Sequence, residues 1–295
     1  MAKTRKSKRG PLFLKALFIF GIALIFFIIA IVGFIIYSDY KRKEEATKNI
    51  PLPPQVAKIA KPPAPPVTVH IPKAKIAIVI DDMGQDIRRL RDILEIDAPI
   101  SIAVLPFLPY SKDIATEAGS KGREVLLHIP MEPKDSNNND PGKGAVFTDM
   151  TEAQVAEQVR MDIEAVPYIT GVNNHMGSRF TEDERLMRIV LNIAKTKNLF
   201  FLDSKTTSKS TGYRLAKEME VKAASRQVFL DNKEDINYIK GQILELVEIA
   251  KKRGSAIAIG HPHPSTIAAL KEMIPLLNKD VDIVTVSSLI DSIKE

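Results

Sequence analysis

The sequence predicts an α/β protein, a closed or nearly closed (β/α) barrel of about seven strands preceded by one transmembrane helix. Three observations predict it. From residue 75 onward, apolar runs of strand length alternate with segments of helical spacing. Those runs are near-continuous Ile, Val and Ala, the composition of parallel strands covered on both faces. Upstream, residues 16–37 carry no charge and are apolar except for two glycines and the final Tyr37.

The membrane segment comes first in the chain. About 20 helical residues cross a bilayer's hydrocarbon core, and residues 16–37 reach that length. The basic residues 1–15 outweigh the mixed charges of residues 41–45, which predicts a cytoplasmic N-terminus and an extracytoplasmic, periplasmic body on a single-pass protein of the inner membrane. A cleaved signal peptide would have a shorter apolar core and a small-residue cleavage site, so the run reads as an uncleaved anchor. Residues 1–50 hold ten Lys/Arg and three acids, whereas the rest of the chain holds 32 basic and 33 acidic side chains. The formal charge of +6 therefore belongs to the N-terminus, and a nucleic-acid-binding surface on the main body loses its best support, so no nucleic-acid partner is expected. Absence of Cys is compatible with export.

Residues 38–73 are a charged and then proline-rich linker. Its prolines favour polyproline II over helix or ladder pairing, which makes a semi-rigid spacer; His70 lies in it and is left out of any site. Residues 74–295 form the barrel domain. Predicted strands are 75–81, 100–105, 124–129, 169–174, 199–203, 221–224, 256–260 and 281–284. Predicted helices are 87–94, 111–120, 151–165, 182–196, 212–220, 234–252 and 265–277, and Thr151 with Gln154 and Thr181 with Glu184 resemble capping boxes. An open doubly wound sheet has the same element order and differs only in strand order.

Parallel α/β folds place chemistry at the carboxyl ends of their strands. Four predicted strand ends carry residues that bind divalent metals and move protons: Asp81 and Asp82, His128, His175 and His261. Adjacent carboxylates on a straight strand would point to opposite faces, but the bend into Met83-Gly84 can bring both to one cavity. Glu132, four residues after His128, is placed to ligate an ion or to orient the imidazole. Asn173, Asn174 and Ser178 supply neutral polar groups beside His175. Pro262 restrains the backbone after His261, which suits a general acid, whereas His263 falls in the loop beyond. Asp203 either orients an imidazole or caps the next turn. Each of these residues taken singly also fits a plain structural role, as a turn former or a satisfied buried histidine; their combination points to a metal-dependent hydrolase.

Together IDDMG, LLHIPMEP, NHMGSRFT, FLDSKT and GHPHP, in this order, resemble the divergent polysaccharide deacetylase family of bacterial envelope proteins, over essentially all of residues 75–290. The resemblance implies a distorted (β/α) barrel related to the metal-dependent carbohydrate deacetylases. It implies Asp81 as the base, Asp82 and His128 as metal ligands and His261 as the acid. Glu132 stands where a second ligand histidine would be, and Asn173-Asn174-His175-Met176 replace an expected Arg and Pro, with Arg179 close by. His175 can fill the missing position, giving an Asp-His-His set for Zn²⁺ or a similar ion with room for water. The expected activity is acyl removal from an envelope carbohydrate. Two rivals are a non-catalytic envelope scaffold and a phosphoesterase using Arg179, Lys205 and Arg226.

Overall fold

The structure is a computed structural model of the 295-residue chain, and it describes residues 30–39, 41–42, 73–277 and 279–292. Most of the predicted span 16–37 and of the linker lies outside the described residues. Residues 30–39 are helical, and among the described residues no helix is long and apolar enough to cross a membrane.

The body, a unit of its own, alternates strand and helix. Its strands are β1 (Ala74–Met83), β2 (Ser101–Val104), β3 (Val125–Met131), β4 (Ile169–Met176), β5 (Phe200–Asp203), β6 (Ala223–Ser225), β7 (Val228–Phe229), β8 (Ser255–Gly260) and β9 (Val281–Ile283). Between and after them run α1 (Ile87–Leu94), α2 (Ser111–Ser120), α3 (Glu152–Ala165), α4 (Glu184–Thr196), α5 (Gly212–Glu218), α6 (Ile236–Arg253), α7 (Pro264–Leu277) and α8 (Val286–Ser292). Every described pairing is parallel, in the order β6-β5-β4-β3-β2-β1-β8-β7, with β9 beside the start of β1. This is the order of a barrel, not of a doubly wound sheet.

The barrel is open between β6 and β7, and their connection gives the reason. Only Arg226 and Gln227 join them, while parallel neighbours need a crossover of roughly a dozen residues. The extended segment therefore pairs first with β5 (Leu202 with Ala224) and then with β8 (Val228 with Ala258). Gln227 bridges the change: its backbone N–H donates to Ile257 O and its Oε1 accepts from Ile257 N. Counted as one interrupted strand, β6 and β7 make this a distorted seven-stranded barrel plus the short β9.

Strand periodicity sorts side chains between two apolar layers. Ala77, Val79, Ala103, Leu126, Phe200, Leu202, Ala224, Ile257 and Ile259 fill the barrel, while their neighbours pack outward under the helices. Gly171 on β4 makes room for this filling, because a Cβ there would lie 2.5 Å from the Phe200 ring. The amino-terminal end is closed by α8, which the sequence reading did not contain. Val286 and Leu289 enter the barrel, and the buried Glu124 carboxylate accepts from Val286 N, Ser287 N and Ser101 Oγ, satisfying orphan donors of the helix's first turn.

The capping box at Thr151 and Gln154 is present. The one expected at Thr181 is not. Residues Phe180–Glu182 form a 3-10 turn, the hydroxyl of Thr181 donates to Gly177 O, and Asp183 caps α4 through Leu186 N instead.

Candidate metal and catalytic site

The alternation that fills the barrel continues to its carboxyl end. Ala77 and Val79 point inward, so Asp81 does too. Asp82 would point outward on a regular strand. A register shift between Ile80 and Met83 and a left-handed φ of 56° at Asp82 turn it to the same mouth. Parallel pairing sets His128 beside Asn173 and Pro130 beside His175, which brings both imidazoles over that mouth.

Three ligand atoms converge there. Asp82 Oδ1 lies 2.8 Å from His175 Nδ1 and 3.1 Å from His128 Nε2, and the two rings meet edge-on with centroids 5.0 Å apart. Neither approach has hydrogen-bond geometry, so Asp82 Oδ1 is buried without a hydrogen-bond partner among the described residues. One carboxylate and two imidazoles with their polar atoms within 4.8 Å of one another are a donor set that fits Zn²⁺ or a similar divalent ion. Burial alone would raise the Asp82 pKa, but the two imidazoles outweigh it and hold the carboxyl far below the usual carboxylate range.

Asn173 fixes the state of His128. Its Nδ2 donates to Asp81 Oδ1 at 2.9 Å and to Ser204 Oγ at 3.3 Å; an ionised Asp81 can only accept, which sets the orientation of the amide. Asn173 Oδ1 then faces His128 Nδ1 at 2.9 Å, so Nδ1 carries the proton and the Nε2 lone pair points at the ligand cluster. Asp81 Oδ2 lies 3.4 Å from His128 Nε2. Burial pushes the Asp81 pKa up, with Asp82 adding to the rise and His128 opposing it.

His261 ends β8 across the mouth, its Nε2 3.8 Å from Asp82 Oδ2. Asp231 holds it: Oδ1 lies 2.9 Å from His261 Nδ1, and Oδ2 accepts from His261 N at 2.5 Å and from Thr266 Oγ1 at 2.8 Å. Burial opposes the charge on His261, but the hydrogen bond to Asp231 and the nearby Asp82 push its pKa up to about 9. At neutral pH the imidazole is thus a charged donor. Phe229 stacks beside it with centroids 6.2 Å apart, and the Arg226 guanidinium lies over the Phe229 ring, 3.6 Å from its centroid.

With this geometry in place, a comparison of sequences is decisive. The profile of the family described as divergent polysaccharide deacetylase matches residues 78–290. The chain belongs to that family. It is 37% identical over 217 residues to the uncharacterized protein YibQ of Escherichia coli K12, covering 74% of this chain and 67% of that one. An uncharacterized protein of Haemophilus influenzae is 38% identical over 217 residues, covering 74% of this chain and 77% of its own. Among solved structures, an uncharacterized protein of Agrobacterium tumefaciens C58, ATU2773, shares the fold with a TM-score of 0.71 at 22% identity, over 75% of this chain and 90% of that one. A putative cellobiose-phosphate cleavage protein of Enterococcus faecalis V583 shares it more distantly, with a TM-score of 0.54 at 15% identity, over 74% of this chain and 99% of that one.

In this member of the divergent polysaccharide deacetylase family, several residues named from sequence stand away from the cluster. Glu132 does not join the ligands: its Oε2 accepts from Thr148 N and Oγ1, its Oε1 pairs with Arg179 at 3.0 Å, and its backbone oxygen accepts from Arg179 N and Phe180 N. His175, not Glu132, is beside Asp82. Ser178 Oγ accepts from Lys134 N, so Glu132, Ser178 and Arg179 lock loops together at the rim. Asp203 orients no imidazole among its described contacts; it takes Lys205 N, Ser210 Oγ and Tyr213 N and so organises the turn into α5. Asn174 is structural as well, donating to Met176 O and accepting from Ser204 N. His263 is half-exposed, 3.6 Å from Glu234 Oε2. It also lies close to Asp231 and His261, but the oxygens of Asp231 are already taken by His261 and Thr266. Arg226, named for the phosphoesterase rival, donates to Ser204 O and Lys205 O. Asp231 is missing from the sequence-based site, and Asn173, read there only as a neutral polar group beside His175, is the hinge between Asp81 and His128.

Proposed function

We propose that this protein is a metal-dependent deacylase that removes acetyl or related acyl groups from an N-acylated envelope carbohydrate. The observation that carries the reading is the buried Asp82 Oδ1, without a hydrogen-bond partner among the described residues and faced by His128 Nε2 and His175 Nδ1. Asp81 and His261 flank it. Asp82, His128 and His175 would hold a divalent ion, which would supply Lewis acidity for polarising an acyl oxygen and lowering the pKa of water. Asp81, positioned by Asn173, takes the proton of the attacking water. His261, held by Asp231 with Nε2 free toward the mouth, delivers its proton to the departing amine nitrogen, leaving amine and carboxylate products.

The test is acetate release from N-acetylglucosamine oligomers by the full-length chain in detergent, abolished by a chelator and restored by Zn²⁺. Asp231→Asn is expected to lower kcat about 10–100-fold with metal content unchanged, the usual effect of losing a partner that orients a catalytic imidazole. Bound metal with no acetate from any N-acylated glycan would sink the reading; absence of bound metal together with full tolerance of His128→Ala in cells would favour a scaffold.

The uncharged residues 16–37 and the proline-rich linker support a body tethered outside the inner membrane. The full-length chain is expected to pellet with membranes, to resist high salt and to be released by detergent. Recovery in the soluble fraction would overturn the anchor.

A further inference from the structure

The loop after β2, Leu105-Pro106-Phe107-Leu108-Pro109-Tyr110, belongs to the rim but has no part in the chemistry above. It is tied to the strand end that carries Asp82: Leu105 N donates to Met83 O at 2.8 Å and Tyr110 N to Gly84 O at 2.9 Å. Inside the loop, the buried Ser111 hydroxyl donates to Leu105 O and accepts from Leu108 N. The loop is thus built as a fixed shape.

At its tip stands Phe107, 40% exposed and with a φ of 58°. A residue after proline in a tight turn with positive φ is ordinarily Gly or Asn, and a bulky aromatic there is sterically costly. The residue is only partly buried, with 40% of its surface left in water at the rim. What the ring does touch is Gly144, on the loop after β3: a Cβ at Gly144 would lie 3.1 Å from Phe107 Cε2. That loop is bonded to β3 through Val146 N to Pro130 O and Glu132 N to Val146 O. Phe107 is therefore wedged between the loop beside Asp82 and the loop beyond His128, with part of its surface exposed at the rim. Tyr110, 42% exposed, ends the same loop.

We propose that Phe107, with Tyr110 beside it, is a stacking platform for a sugar ring flanking the acylated one, so that the site recognises an oligomer and not a single sugar. A pyranose ring presents an apolar C–H face that packs on an aromatic face, and the ring quadrupole attracts those C–H groups. Rigid placement of the ring lowers the ordering cost of binding. The proposal rests on the deacylation reading for its ligand class, but its test does not need turnover.

The chain contains no tryptophan, so Phe107→Trp places a single indole at the rim. Titrating the full-length Phe107→Trp chain with the tetramer of N-acetylglucosamine is expected to shift and saturate its emission, with a much weaker response to the monomer. Phe107→Gly is expected to weaken tetramer binding by calorimetry about tenfold and leave metal content unchanged. The exposed Tyr168, before β4 at the opposite end of the barrel, is the control, and Tyr168→Ala should leave tetramer binding unchanged. Wild-type affinity for the tetramer in Phe107→Gly would overturn the platform even if acetate release is observed. A platform that binds tetramer without any metal-dependent acetate release would sink the deacylation reading alone.

Discussion

Replacing Asp82 with asparagine is expected to empty the site of tightly bound divalent metal and to lower acyl release at least about a thousandfold, roughly the 4 kcal/mol scale of losing the metal's charge stabilisation. Asparagine is the informative variant because residue 82 has a φ of 56°, and Asn tolerates that left-handed conformation while Ala does not. The backbone bulge and the fold then survive, and only the anionic ligand is lost. Asp81→Asn, one residue away, is expected to behave differently. Its carboxylate is not in the ligand cluster and is engaged by Asn173, so metal should stay bound while turnover falls. Metal analysis of the two purified variants beside acetate release separates the roles. Full metal occupancy in Asp82→Asn would refute the ligand assignment, and equal loss of metal in both would make Asp81 a ligand too.

The part of this site that was legible in the sequence follows from period two and the part that was not follows from irregular backbone. Asp81 continues the alternation of Ala77 and Val79, and His128 continues that of Leu126, so their inward direction could be read from apolar spacing. The turn of Asp82 into the same mouth depends on a register shift that no residue type announces. Asp231 was overlooked for another reason. The chain contains Phe-Leu-Asp twice, at 201–203 and 229–231. The first closes a four-residue strand and the second begins on the last residue of a strand of two, too short to carry a period. The more regular copy caps a helix, and the less regular one holds the His261 imidazole. The open seam of the barrel had a visible signal in principle, since two consecutive strands joined by two residues cannot pair in parallel.

Stability should fall as pH rises through the range 4 to 7, and Asp162→Asn should remove a large part of that fall. Asp162 lies on α3 with no exposed surface; Gln158 Nε2 donates to its Oδ1 at 2.8 Å, and its Oδ2 has no hydrogen-bond partner among the described residues. Gly144, with φ of 85°, lets the loop after β3 close over it, since a Cβ there would sit 2.7 Å from Asp162 Oδ1. Burial pushes the pKa up to about 7, with the Gln158 hydrogen bond opposing weakly. The sign follows from proton binding: between the unfolded value near 4 and the folded value near 7, the native state holds a proton that the unfolded state has released. Native stability is therefore undiminished below pH 4, declines by about 1.4 kcal/mol per unit through that window and is flat above it, a total of about 4 kcal/mol. Denaturant unfolding of wild type and Asp162→Asn at pH 5 and pH 8, both with chelator to remove metal linkage, isolates this group from other titrations. The variant is expected to lose about 2–3 kcal/mol less than wild type between the two pH values. Parallel profiles would mean that the native carboxyl ionises normally, which its burial against Gly144 and its unpartnered oxygen argue against.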